Sequence, residues 1–161
     1  MLYDAFFQLE NLPLVVAFTE SLFAYPLVQG IHVLALAFAV GLLAVADLRL
    51  AGILLPQQSA QVFLSGLRPW FISGFTVLII TGTLLFLPKA TLLYASPLFL
   101  IKLALIVLAG VNAYYFELNY RRSGLEGNTA VWHAVSPRAA GLISLGLWVT
   151  IIILGRLLAY F

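Results

Sequence analysis

The chain has 161 residues, of which 63% are apolar and only 9% are charged. A soluble domain carries ~25% charged residues, so this composition excludes both a water-soluble globule and a disordered segment and predicts one integral membrane domain over residues 1–161. With no cysteine, one methionine and a net charge of +2, it also excludes disulfides, thiolate metal sites and a methionine-lined copper path, and gives no reason to expect nucleic acid as a partner.

The N-terminal segment, residues 2–24, differs from the rest of the chain. It contains three acidic residues, Asp4, Glu10 and Glu20. Pro13 interrupts it before an apolar run that is too short to span a membrane. Because the segment has no basic start, it does not fit a secretory signal peptide. We expect one or two short helices that lie in the membrane interface.

Four apolar segments follow, each close to the ~20 residues that a membrane-spanning helix needs. Three of them start at Pro26, Pro69 and Pro97, where the missing N–H of a proline costs nothing. Nothing alternates between apolar and polar residues as in a membrane barrel. The predicted fold is therefore all-α, a transmembrane four-helix bundle with N-terminal interfacial helices. Its spans cover residues 26–46, 69–87, 97–116 and 138–161.

The connections between the spans predict the orientation of the chain. Those at 48–68 and 117–138 hold five arginines, whereas the opposite side has Lys89 as its one extramembrane base. Under the positive-inside rule the arginine-rich side faces the cytoplasm. We therefore expect a multi-pass protein of the bacterial inner membrane with both termini periplasmic or extracellular. The arginines are Arg49, Arg68, Arg121, Arg122 and Arg138.

Three ionisable side chains lie inside the predicted spans, where each costs ~2.5–3.5 kcal/mol at a helix centre. Counted along their helices, His32, Lys102 and Arg156 share one depth, roughly 8–9 Å below the non-cytoplasmic surface. One hypothesis is that they surround a single polar pocket. The other is that the lysine and arginine extend to the headgroups while the histidine only packs. The pocket hypothesis also includes Glu20 at the mouth, with Tyr25 and Tyr160.

Small residues follow the same helix faces as these ionisable groups, which predicts close helix packing. Threonines of the second span, among them Thr81, offer hydrogen bonds to neighbouring helices. Asp47 with Arg49, at the end of the first span, is predicted to be an interfacial charge pair. The predicted inward faces are His32, Ala35, Ala39 and Ala46; Lys102, Ala109 and Ala113; and Arg138, Gly141, Leu145, Val149, Arg156 and Tyr160.

Two cations in hydrocarbon favour an anionic or carbonyl-bearing ligand. Heme b and a quinone both qualify, and His32 would ligate the heme iron or hydrogen-bond the quinone. The other histidine, His133, is predicted on the cytoplasmic side, most of the ~30 Å bilayer away. We therefore do not expect a heme held by both histidines of one chain, whereas a single-histidine heme and a heme shared by two protomers stay open.

Three functions remain open from these residues. The first is an electron-transfer-associated module that binds heme b or a quinone. The second is a non-catalytic accessory or self-assembling subunit, and the third is a small oligomeric transporter or channel, against which the apolar middle of every span counts. No phosphate loop, zinc-protease motif or nucleophile elbow occurs, so the sequence gives no reason to expect an enzyme. The expected partners are membrane lipid and either further copies of the chain or a larger membrane complex.

Several strings of residues resemble a bacterial membrane-protein family known only as a domain of unknown function. The resemblance covers nearly the whole chain and implies a compact four-span bundle with no established activity. The position of a histidine within a helix is also similar to copper-resistance D-type and b-type cytochrome bundles, although this chain lacks their several intramembrane histidines. The strings include Ala46-Asp47-Leu48-Arg49-Leu50-Ala51-Gly52, Pro137-Arg138-Ala139-Ala140, Ser144-Leu145 and Gly155-Arg156-Leu157-Leu158-Ala159-Tyr160.

Overall fold

A computed structural model of the chain describes residues 2–54, 60–126 and 136–158. All regular structure in these ranges is helical, which confirms the all-α prediction. A 3-10 turn at Leu87–Lys89 links two of the helices. The α-helices are α1 (Leu2–Glu10), α2 (Pro13–Glu20), α3 (Ala24–Leu50), α4 (Ala60–Phe86), α5 (Ala90–Ala95), α6 (Pro97–Glu126) and α7 (Pro137–Leu157).

Four helical stretches of the described chain are long and apolar enough to cross a membrane, as predicted. They correspond to α3, to α4 with its continuation as far as Ala95, to the first part of α6, and to α7. Several boundaries differ from the prediction. The fourth helix begins at Ala60, so Pro69 lies inside it and removes one backbone hydrogen bond instead of opening the span. The sixth helix runs on to Glu126 because helical hydrogen bonding continues into the polar residues beyond the apolar stretch.

The predicted N-terminal segment forms two short helices, α1 and α2, with Pro13 opening the second. Glu10 ties α1 to the start of α5, because its Oε1 accepts hydrogen bonds from the backbone N of Thr91 at 2.7 Å and from its Oγ1 at 2.8 Å. Phe6 adds ring contacts with Phe86 and Tyr94, at centroid distances of 6.0 and 5.0 Å. These contacts hold α1 against neighbouring helices, while its position in the membrane interface stays a prediction.

The chain divides into two compact units. The first comprises residues 1–42 and 67–97, and the second comprises residues 43–66 and 98–161. In the first unit α3 and α4 approach closely where Gly74 meets Ala39, since a Cβ built on Gly74 would lie 3.1 Å from the alanine Cβ. Phe38 and Trp70 cover this crossing edge to face, with ring centroids 6.3 Å apart.

The core of the second unit is also built from small side chains. Ala46, Ala109 and Ala140 are buried, which confirms the predicted role of small residues in helix contact, whereas Ala113 of the predicted α6 face is exposed. The predicted inward face of α7 was wrong, because a different side of this helix is buried. Gly141 is buried, but Arg138, Val149 and Arg156 are exposed. The buried residues recur at helical spacing along a stripe that excludes the arginines, namely Ala140, Gly141, Ser144 and Ile151.

Candidate functional site

His32, on α3, is hydrogen-bonded to Thr81 of α4 within the first unit. The histidine is half-buried, and its Nδ1 lies 2.7 Å from Thr81 Oγ1. The threonine is 6% exposed and its hydroxyl also donates to the backbone oxygen of Val77 at 2.7 Å. A hydroxyl has one hydrogen, so both bonds form together only when His32 Nδ1 carries a proton and donates it. This arrangement makes Nε2 of a neutral His32 the nitrogen with the lone pair.

A glycine next to Thr81 lets the histidine ring lie against α4. A Cβ atom on Gly82 would be 3.3 Å from His32 Cε1, which is closer than most Cβ contacts. The contact of Gly74 with Ala39, two helical turns away on both helices, holds the backbones at the same close approach. Small residues thus position the histidine, as the predicted stripe below it indicated.

An apolar groove lies one helical turn from the His32–Thr81 pair, still within the first unit. It is a shallow, largely open depression with a volume of about 310 Å³. Gly74 forms part of its floor, and Val77, which accepts the Thr81 hydrogen bond, forms part of its wall. The lining residues are Leu34, Ala35 and Phe38 of α3 and Ser73, Gly74 and Val77 of α4.

Lys102 lies beside α7 within the second unit. Its side chain is half-buried, and its Nζ would be 3.1 Å from a Cβ atom built on Gly155. Glycine therefore gives the lysine room to lie across the helix. The next residue along α7 is Arg156, which is exposed. The structure thus places the Lys102 side chain beside Gly155, and the shared membrane depth of Lys102 and Arg156 stays a prediction.

The other predicted site residues are distributed over the chain. Glu20 is exposed at the end of α2, and Tyr25 is half-buried with its ring 5.6 Å from that of Phe18. Tyr160 and His133 lie outside the described residues. His32 belongs to the first unit and the two cations to the second, so the shared pocket stays a prediction. In the described ranges, no group of three or more His, Cys, Asp or Glu residues is arranged to hold a metal ion.

Asp47 is a residue whose environment the sequence did not predict. It is 6% exposed, near the end of α3, and its carboxyl group accepts a hydrogen bond from Ser144 of α7, which is 8% exposed. Its burial differs from the interfacial position expected for a charge pair with Arg49, and the pair itself stays a prediction. The signal available in the sequence was the set of small residues on α7, which allows a neighbouring helix to cover an acid.

Comparison with known proteins identifies a family whose function is not known. The model of a family of unknown function, DUF6644, matches residues 16–161. No curated protein and no solved structure matches the chain. The likeness to copper-resistance D-type and b-type cytochrome bundles therefore rests on the sequence pattern alone.

Proposed function

The chain belongs to the DUF6644 family of unknown function, and we propose that it binds a redox cofactor, a quinone or heme b, through His32 in association with electron transfer. The observation that carries this proposal is the hydrogen-bond series from His32 Nδ1 to Thr81 and on to Val77. These two bonds orient the ring and favour the tautomer that carries its proton on Nδ1. Metal-ligating and hydrogen-bonding histidines are commonly held in this way through their second nitrogen.

The tautomer indicates what His32 offers to a ligand. With its proton on Nδ1, the neutral ring presents a lone pair at Nε2. That nitrogen accepts a hydrogen bond from a quinol hydroxyl or ligates a heme iron.

The groove beside His32 supports a flat apolar ligand. Its walls come from Phe38, Val77 and other apolar side chains, and its volume is about 310 Å³. This apolar lining suits a quinone ring with the start of an isoprenoid chain, which is a smaller and less polar ligand than heme b. We therefore place the quinone first and heme b second. The predicted contacts of Lys102 and Arg156 with the same ligand remain part of the proposal.

The experiment is a quinone titration of the purified full-length protein in detergent. Trp70 packs on Phe38 at the groove wall, so a short-chain ubiquinone analogue bound there quenches its fluorescence. Replacing Trp132 and Trp148 by Phe isolates this signal. We expect His32→Leu to weaken binding roughly 10- to 100-fold, the effect of losing one or two hydrogen bonds. Lys102→Met and Arg156→Met test the two cations in the same assay.

A matched pair of threonine variants distinguishes the loss of the His32–Thr81 hydrogen bond from a non-specific loss of structure. Thr81→Val removes the acceptor of His32 Nδ1, whereas Thr83→Val removes a hydroxyl that donates to Ile79 of its own helix, at 2.8 Å. The proposal requires weaker quinone binding in the first variant and unchanged binding in the second. An absorption spectrum with a Soret band that is lost in His32→Leu would select heme b instead. Equal quinone binding by wild type and His32→Leu, with no Soret band, would reject both ligands.

We also propose that the protein lies in the bacterial inner membrane with both termini outside, as a homo-oligomer or as a subunit of a larger membrane complex. The basic asymmetry of its connections supports the orientation. Many large apolar side chains, such as Leu34 and Ile79, are exposed and available to lipid or to another subunit. Native mass measurement in membranes and at low detergent tests the assembly, and the mass of a single chain under both conditions would reject it.

A further inference from the structure

The carboxyl group of Asp47 is a buried acid of the second unit, and only one of its two oxygen atoms accepts a hydrogen bond. Ser144 donates one hydrogen bond to it. The atom Asp47 Oδ2 is buried and has no hydrogen-bond partner among the described residues. A buried polar atom without a partner is uncommon in native proteins and requires an explanation.

Helix packing leaves this carboxyl group little access to solvent. The backbone oxygen of Asp47 would be 2.7 Å from a Cβ atom built on Gly141 of α7, so the two helices are in close contact at this level. On the α6 side, Asn112 Nδ2 donates to the backbone oxygen of Ala140 at 3.3 Å. Ionised carboxylates are poorly tolerated in such an environment unless a cation or several donors accompany them.

Among the side chains that the structure describes, those with a charge toward this end of α3, α6 and α7 are Arg49, Glu117 and Arg138. The guanidinium of Arg138 lies beside Gly52, with Nη2 3.7 Å and Nε 3.8 Å from a Cβ built there. None of the described residues offers Asp47 Oδ2 a hydrogen bond. The one hydrogen-bond donor that the described residues give to the Asp47 carboxyl group is therefore the Ser144 hydroxyl, which is too little to stabilise a buried negative charge.

We propose that Asp47 and Ser144 form a proton-binding site, in which Asp47 Oδ2 carries a proton in the folded protein. A neutral carboxylic acid is far less costly to bury than a carboxylate. A metal cation fits less well, because hard cations take six or more oxygen ligands and this site supplies one carboxyl group and one hydroxyl. Intramembrane acids that take up and release protons occur in proton relays of pumps and transporters, and the proton is thus the ligand assigned here.

The test is infrared difference spectroscopy of the full-length protein at neutral pH. Subtracting the spectrum of Asp47→Asn from that of the wild type isolates the bands of this one side chain. We expect the C=O stretching band of a protonated carboxyl group, displaced on exchange into heavy water. Bands of an ionised carboxylate in its place would overturn the proposal. Asp4→Asn, which removes an exposed acid of α1, is the control and should remove carboxylate bands.

Two further measurements test the proposal even if the infrared spectrum of Asp47→Asn is altered by misfolding of that variant. Asparagine has nearly the shape of a neutral aspartic acid, so Asp47→Asn should keep the wild-type melting temperature if the site is neutral, and a large loss would count against it. In Ser144→Ala the protonated-carboxyl band should persist at a shifted frequency, because its hydrogen-bond donor is gone. Replacement of that band by carboxylate bands in Ser144→Ala would also contradict the proposal.

Discussion

Gly141 of α7 faces the backbone carbonyl of Asp47 in α3 so closely that a Cβ atom on residue 141 would lie 2.7 Å from the oxygen. The contact brings the next turn of α7, with Ser144, up to the Asp47 carboxyl group. One glycine therefore determines both the separation of the two helices and the burial of the acid. Without it, the helices would have to move apart and expose the carboxyl group.

Gly141→Ala should destabilise the protein by about 1–3 kcal/mol, the usual effect of overpacking against backbone. The matched control is Gly146→Ala on the same helix, because a Cβ atom there meets nothing within 4 Å. That substitution should be neutral or slightly stabilising, since alanine is the better helix former. Thermal unfolding in one detergent compares the two variants, and equal melting temperatures would contradict the close contact.

Gly155→Ala should be tolerated although its added Cβ would also be crowded. The near atom is Lys102 Nζ, at 3.1 Å, and it is the end of a flexible side chain that can move aside. We expect a change in stability within about 0.5 kcal/mol, in contrast to Gly141→Ala. Measured in the same unfolding series, a loss as large as that of Gly141→Ala would show that Lys102 is held rigidly.

Thr81→Val should destabilise the first unit by about 1–3 kcal/mol, because it leaves a part-buried histidine nitrogen without its acceptor. Thr76→Val is the comparison, since the Thr76 hydroxyl donates to Ile72 of its own helix at 2.7 Å on an exposed face. Its effect should be within about 0.5 kcal/mol. Thermal unfolding in detergent compares the two variants. Equal stabilities of Thr81→Val and Thr76→Val would show that the His32–Thr81 hydrogen bond does not stabilise the protein.

Glu10→Ala should loosen α1 without unfolding the rest of the chain. The substitution removes both hydrogen bonds to Thr91, which for a half-buried carboxylate is worth about 1 kcal/mol. Hydrogen exchange should become faster at residues 2–10 and at the start of α5. The exposed Glu20 gives the control variant Glu20→Ala, in which exchange over residues 2–10 should match the wild type.

The positive-inside prediction can be tested cleanly because the chain contains no cysteine. Single cysteines at Asp4 and Ser123 mark the two predicted sides. A membrane-impermeant thiol reagent applied to intact spheroplasts should label Asp4→Cys and spare Ser123→Cys, and it should label both after the membrane is broken. Labelling of Ser123→Cys in intact spheroplasts would reverse the proposed orientation.

The membrane class, the four spans and the N-terminal helices follow from the sequence, because they depend on composition and on local hydrogen bonding. Each span had to be helical once it was apolar and ~20 residues long, since backbone polar groups need partners within the bilayer. The predicted contribution of alanines such as Ala39, Ala46 and Ala109 was also correct, because close helix packing selects small side chains. Boundaries were less accurate, as Pro69 shows, since a helix continues wherever its backbone bonds can form.

Tertiary structure alone decided which side chains meet. Arg156 and Val149 were assigned to the buried face of α7, but the contact of Gly141 with Asp47 turns the face of Ala140 and Ser144 inward instead. Likewise, the sequence around Thr81 does not indicate that His32 is its hydrogen-bond partner. The two residues are 49 positions apart and come together where α3 and α4 cross at Gly74. Helical periodicity predicts a set of possible faces, and the packing of one helix against another selects among them.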